Sequence, residues 1–217
     1  MTPLSATAEL ARPENVLPLL DFAGVAVFAA TGALAAAYQK QDVVTFAFFA
    51  ALTGVGGGTV RDLLIGAPVF WVADWRYLAV CLLAAAAVWL IGPRTWRFRA
   101  LMWLDAIGLA AYGVMGAAKA ASYGVAPLIC VVMGVLTACF GGIVRDVLAN
   151  QPSILLRREL YISAALLSAA VFVGLKAVSV PTWWAVTIAV AAGLALRAGA
   201  ILKGWSLPAF PSAPQRL

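Results

Sequence analysis

Seven long apolar runs alternate with short polar connections along the 217-residue chain. A helix needs about 20 apolar residues to cross the hydrocarbon core of a bilayer. The runs place predicted spans at about 19–38, 43–65, 77–92, 101–119, 126–148, 160–176 and 183–202. The third and sixth are short and draw on their flanks. Pro68, Pro93, Pro152 and Pro181 punctuate the connections. Leu207–Leu217 is rich in Pro and polar residues and reads as a disordered tail. The N-terminus, with Glu9 and Glu14 and no basic n-region, reads as a polar leader and not as a signal peptide. The expectation is an all-α membrane protein, one transmembrane domain over 1–217.

A second pattern lies over the first. At a constant offset of 84 residues, Asp21 meets Asp105, Gly24 meets Gly108, Gly32 meets Gly116 and Thr53 meets Thr137. Gly57-Gly58 meet Gly141-Gly142, and Val60-Arg61-Asp62 meet Val144-Arg145-Asp146. Pro68 meets Pro152, and Tyr77 meets Tyr161. Alanine matches mean little in so Ala-rich a chain. Matches at Asp, Arg, Gly, Pro and Tyr in one register mark an internal repeat. Each copy (18–92 and 101–176) holds three spans, an odd number, so the second enters the membrane from the opposite side. The predicted architecture is two inverted three-helix repeats plus a seventh helix over 183–202, suited to support or subunit contact. Inverted repeats of this kind place a pathway at the repeat interface.

Composition then removes alternatives. The chain is 64% hydrophobic and 11% charged, with a mean hydropathy of +0.97, beyond what a soluble domain of this size can bury. There is no His. The commonest general base and metal ligand is therefore missing, and no activated Ser or Cys nucleophile is available. Cys81, Cys130 and Cys139 sit in apolar runs without ligand spacing. No enzyme, cofactor or metal site is expected. The net charge of +6 would suggest nucleic acid in a soluble chain, but here the basic residues fall in loops. On the N-terminal side stand Arg12, Arg76, Lys119 and Lys176. On the other stand Lys40, Arg94, Arg97, Arg99, Arg157, Arg158, Lys203 and Arg216. The excess on the second side makes it cytoplasmic, with the N-terminus outside and the C-terminus inside. Trp71, Trp75, Trp96, Trp103, Trp183, Trp184 and Trp205 fall near span ends, as an aromatic belt does. Arg94, Arg97, Arg99, Arg157 and Arg158 either set topology or also bind anionic lipid head groups.

The chemistry concentrates in the second and fifth spans. One carries Thr53 and Gly56-Gly57-Gly58, followed by Arg61-Asp62. The other carries Thr137 and Phe140-Gly141-Gly142, followed by Arg145-Asp146. Consecutive glycines weaken a helix, so these stretches read as breaks that constrict a pathway. Either cluster alone reads equally as a close-packing surface, since Gly lets helix backbones approach, but their pairing in inverted halves favours the break. Charges inside a membrane point to function, although an Arg near a span end can instead snorkel to the interface. Asp21 and Asp105 open the first and fourth spans on the sides where Arg61 and Arg145 end theirs. Each Arg therefore has two candidate carboxylates, and a charge cluster is expected at each mouth. Asp21 and Asp105 are also placed to face a helix dipole.

These residues resemble the trimeric intracellular cation (TRIC) channel family in its prokaryotic branch. Gly56-Gly57-Gly58-Thr59-Val60-Arg61-Asp62 and Gly141-Gly142-Ile143-Val144-Arg145-Asp146 carry the likeness, which spans about residues 18–204. The resemblance implies a homotrimer in the cell inner membrane, with one pathway in each subunit through kinks of the second and fifth helices. It implies a channel for monovalent cations, with potassium expected. Phe140 stands where a third glycine would complete the second cluster, and could narrow or gate the pore. Lys119 is not assigned the gating role of a basic residue in animal members. Two other classes stay open at this point. A secondary transporter of a small solute such as glycine suits the same repeats, and a membrane protein with no pathway fits less well with doubled intramembrane charges.

Overall fold

The computed structural model describes the backbone of residues 13–92, 98–151 and 160–208, and the side chains of 21–92, 101–151 and 160–208. Among these residues it forms eight helices: α1 Pro13–Tyr38, α2 Val43–Leu64, α3 Phe70–Ala73, α4 Arg76–Ile91, α5 Phe98–Ser122, α6 Pro127–Leu148, α7 Ile162–Ala177 and α8 Thr182–Lys203. All but α3 coincide with predicted spans. Pro93, Pro152, Arg12, Arg94, Trp96, Arg97, Arg157, Arg158, Arg216 and most of the N-terminal leader and C-terminal tail lie outside the described residues.

Three expectations change. First, α1 and α5 begin well before Asp21 and Asp105, at Pro13 and Phe98. Both aspartates therefore sit about two turns inside their helices, beyond the first turn where the dipole favours a carboxylate. Second, neither glycine stretch breaks its helix: α2 and α6 are each continuous over 22 residues. The cost of Gly in a helix is met by packing, as the close contacts below show. Third, the connection after α2 folds into the single turn α3.

Among the described residues, five helices are long and apolar enough to cross a membrane, namely α1, α2, α5, α6 and α8. At 1.5 Å per residue the 16-residue α4 and α7 extend about 24 Å. Apolar residues such as Val44, Leu83, Leu90 and Leu128 project outward, a surface suited to lipid. Helix α5 is 72% buried over its apolar window and α8 33%, so α5 is central and α8 peripheral. Helix α2 packs on α1, α4 and α6, while α5 packs on α1, α6, α7 and α8.

Helix endings recur at the 84-residue offset. After α2, Gly66 takes φ +68° and Ala67 N–H donates to the Asp62 carbonyl at 2.8 Å. After α6, Asn150 takes φ +48° and Gln151 N–H donates to the Asp146 carbonyl at 2.9 Å. Both are left-handed terminations that satisfy the last free carbonyls. They turn the chain immediately after each Arg-Asp pair.

The start of α2 has no equivalent device on α6. Asp42 Oδ1 accepts from Val44 N–H at 2.8 Å and Thr45 N–H at 2.9 Å, and Oδ2 accepts from the Thr45 hydroxyl at 3.1 Å. The bonds from Thr45 lower the Asp42 pKa. The cap is complete above the ordinary Asp value of ~3.9 and is lost as pH falls through the lowered value. Hydrogen exchange at Val44 and Thr45 should therefore accelerate, relative to its intrinsic rate, only below that range. An acceleration already complete at neutral pH would show the cap is not held by the carboxylate.

Candidate functional site

The glycines bring α2 and α6 together backbone to backbone. A Cβ added at Gly57 would fall on the Thr137 carbonyl, and one added at Gly141 on the Thr53 carbonyl. A Cβ at Gly56 would be 4.0 Å from the Gly141 Cα. The reciprocal pairing makes this crossing tight. Thr53 and Thr137 are buried. The Thr137 hydroxyl donates to the Met133 carbonyl of its own helix at 2.6 Å and packs against Gly116 of α5. Thr53 packs likewise against Gly32 of α1. Phe140 is half-buried.

Beyond the crossing lie two charge clusters. In the first, Arg61 is 1% exposed; its Nε donates to Asp62 Oδ1 at 2.8 Å and its Nη2 lies 2.8 Å from the same oxygen. Asp62 Oδ2 accepts from the Phe70 N–H at 3.0 Å and from Lys119 Nζ at 2.8 Å. The turn α3 thus donates a backbone N–H and sets the Phe70 ring 5.8 Å from the Arg61 guanidinium and 5.7 Å from Lys119 Nζ. Trp71 Nε1 donates to Thr59 at 2.9 Å, so this Trp is bonded to α2 as well as lying near a span end. Asp21 takes a different partner from the expected one. Its Oδ2 accepts from the Tyr77 hydroxyl at 2.9 Å, and its backbone carbonyl accepts from Tyr112 at 3.2 Å. Among the described residues Arg61 therefore pairs with one carboxylate, that of Asp62.

The second cluster matches the expectation. Arg145, fully buried, bridges two helices. Its Nη1 donates to Asp105 Oδ1 at 2.9 Å, its Nε to Asp146 Oδ1 at 2.9 Å, and its Nη2 lies 2.8 Å from Asp146 Oδ1. Tyr161, just before α7, is buried beside it, and the Arg197 guanidinium of α8 stands 5.3 Å from the Tyr161 ring centre. Both clusters are inward-facing and closely paired, which excludes snorkelling for Arg61 and Arg145.

A cavity of about 330 Å³ lies elsewhere, among α5–α8, walled by Ala118, Cys130, Phe172 and Val173 with Lys176 at its edge. No group of three or more potential metal ligands occurs among the described residues.

Known proteins resemble this chain over most of its length. A family model described as "Glycine transporter" matches residues 18–93 and again 102–177. The UPF0126 membrane protein of Vibrio cholerae is 38% identical over 208 residues, covering 94% of this chain and 86% of that protein. The UPF0126 inner membrane protein YadS of Escherichia coli K12 is 37% identical, covering 88% and 94%. The solved structure of the TRIC trimeric intracellular cation channel orthologue from Rhodobacter sphaeroides is 44% identical. It covers 88% of this chain and 99% of that one, with a TM-score of 0.84. This chain belongs to the TRIC family.

Membership makes it a multi-pass membrane protein, as the five long apolar helices also require. The doubled match of the family model falls in the 84-residue register of the sequence repeat. Within this TRIC-family chain, four polar residues at the clusters were not candidates from sequence. Lys119 joins the first cluster from α5, where its repeat counterpart is Ala35. Arg197 reaches the second from α8, which lies outside the repeat. Its signal was a lone charge in an apolar span. Tyr77 and Tyr161 were visible as a repeat match but had no role until their hydroxyls were placed.

Proposed function

We propose that this TRIC-family protein is a potassium-permeable channel for monovalent cations, working as a homotrimer with one pore in each subunit. The observation that carries the reading is the pair of buried charge clusters flanking the α2–α6 crossing, in a bundle whose outer surface suits lipid. Ionisable residues inside a membrane protein mark ion or substrate routes by default. Likeness to a structure described as a trimeric cation channel supports both the ion class and the assembly.

The residues divide the work as follows. Segments 18–92 and 101–176 form inverted halves, with 183–202 outside the repeat. Asp21, Arg61 and Asp62 stand at one mouth, and Asp105, Arg145 and Asp146 at the other. Thr53, Gly56, Gly57, Gly58, Thr137, Phe140, Gly141 and Gly142 form the constriction between them. In this conformation α2 and α6 touch there, so ions pass only when the two helices part. The arginines do not repel cations as bare charges would, because carboxylates hold them at 2.8–2.9 Å. The N-terminus faces outward and the C-terminus the cytoplasm, by the Lys and Arg asymmetry.

The second reading is a secondary transporter of glycine, which the description of the matching family model favours. One experiment separates the two. Purified protein in a planar bilayer under asymmetric potassium chloride should give discrete current steps that reverse near the potassium equilibrium potential. Silence in that bilayer, with saturable uptake of labelled glycine into liposomes, would replace the channel reading by the transporter.

A further inference from the structure

The two halves use the same tyrosine and aspartate differently. In the first, Tyr77 donates directly to Asp21 Oδ2 at 2.9 Å. In the second, at the same offset, Arg145 has taken Asp105 Oδ1, and the Tyr161–Asp105 bond is not made. Asp105 is 0% exposed and Tyr161 2%. The Asp105 Oδ2 and the Tyr161 hydroxyl are both buried, and neither has a hydrogen-bond partner among the described residues. Buried polar groups of native proteins are nearly always bonded, to protein or to ordered water.

The Tyr161 hydroxyl and the Arg145-bonded oxygen of the Asp105 carboxylate lie near one place. A Cβ at Gly142 would lie 2.8 Å from Tyr161 Oη, 3.5 Å from Asp105 Oδ1 and 3.6 Å from Arg145 Nη2. Three polar residues, from α5, from α6 and from just before α7, thus surround the bare face of Gly142. The counterpart in the first half, Gly58, faces the ring of Phe70 instead. One half builds an apolar seat at this register and the other a polar one.

We infer that the second cluster holds one ordered water beside Gly142, donating to Asp105 Oδ2 and bonded to the Tyr161 hydroxyl. The charges choose the ligand. Arg145 lies against the site and the Arg197 guanidinium stands by the Tyr161 ring, which opposes a cation. Asp105 and Asp146 oppose an anion. A neutral group that both donates and accepts answers the acceptor and the hydroxyl at once, as buried waters with two to four polar partners do. The site needs Gly at 142, because any side chain would press on the tyrosine hydroxyl. It does not depend on whether the protein is a channel or a transporter.

The test is a crystal structure of the full chain in a lipid phase, grown in rubidium chloride and refined where waters are visible. The expected result is a density peak within hydrogen-bond distance of Asp105 Oδ2 and Tyr161 Oη, without rubidium anomalous signal. Anomalous signal at that peak, an apolar side chain in its place, or a direct Tyr161–Asp105 bond like that of Tyr77 and Asp21 would each overturn the inference. X-ray radiolytic labelling supplies a measurement free of the crystal, since a resident water is a local source of hydroxyl radical. Tyr161 should be labelled despite its burial. Tyr112, equally buried but bonded to the Asp21 carbonyl, should not. The Gly142→Ala variant should lose the Tyr161 label while remaining folded by size-exclusion chromatography. Equal labelling of Tyr161 and Tyr112 in the natural protein would refute the inference even if that variant fails to fold.

Discussion

Replacing Arg145 by alanine is expected to destabilise the folded protein by about 3–5 kcal/mol, the usual consequence of removing one member of a buried ion pair. Arg145 is the sole described cation bonded to Asp105, and it also holds Asp146. Without it, the Asp105 carboxylate remains inside the bundle with no described cation beside it. It must either protonate or draw water into the helix interface, and both weaken the α5–α6 packing. Arg61→Ala should cost less, about 1–3 kcal/mol, because Lys119 Nζ and the Phe70 N–H still hold Asp62. The readout is thermal unfolding followed by fluorescence-detected size exclusion. A loss of about 3–5 kcal/mol corresponds to roughly 10 °C for a chain of this size. The double variant Arg145→Ala with Asp105→Asn should recover part of that loss, since one stranded charge is then gone. An Arg145→Ala protein melting with the natural one, or an Arg61→Ala protein melting far below Arg145→Ala, would refute this account of the clusters.

The difference between the two arginines also marks how far the sequence could be read. The helices were legible because a bilayer sets the length of an apolar run, so hydropathy alone placed seven of the eight within a few residues. Their true starts at Pro13 and Phe98 were not legible. Polar residues continue a helix past the apolar run without changing its periodicity, and so Asp21 and Asp105 were placed at helix ends. The Arg145–Asp105–Asp146 cluster followed from the repeat, since both partners lie within it. The first cluster could not follow from the repeat. Lys119 breaks the register, and one long cation supplied from α5 is enough to change the partners of Asp62. Arg197 was missed for the related reason that α8 has no counterpart to compare.

The glycines pose the remaining ambiguity, because a helix break and a close crossing both exploit a missing Cβ. Only the position of the opposing chain separates them. In the structure that chain is present, and it touches by its backbone. Alanine at Gly57 is therefore expected to force α2 and α6 apart, since the obstacle is the Thr137 carbonyl, which cannot rotate away as a flexible side chain could. Overpacking of this kind typically costs about 1–3 kcal/mol. Gly141→Ala should behave alike against the Thr53 carbonyl. Gly56→Ala is the control: its Cβ would be 4.0 Å from Gly141, an ordinary contact, and stability should barely change. If the crossing is the closed gate of the channel, the two large-effect variants should also stay open longer in the bilayer, with Gly56→Ala unchanged. Lower melting without altered gating would make the crossing a packing joint alone, and would move the gate to the charge clusters. Equal melting of Gly56→Ala and Gly57→Ala would remove the close crossing itself, and with it the reason α2 and α6 remain unbroken helices through so many glycines.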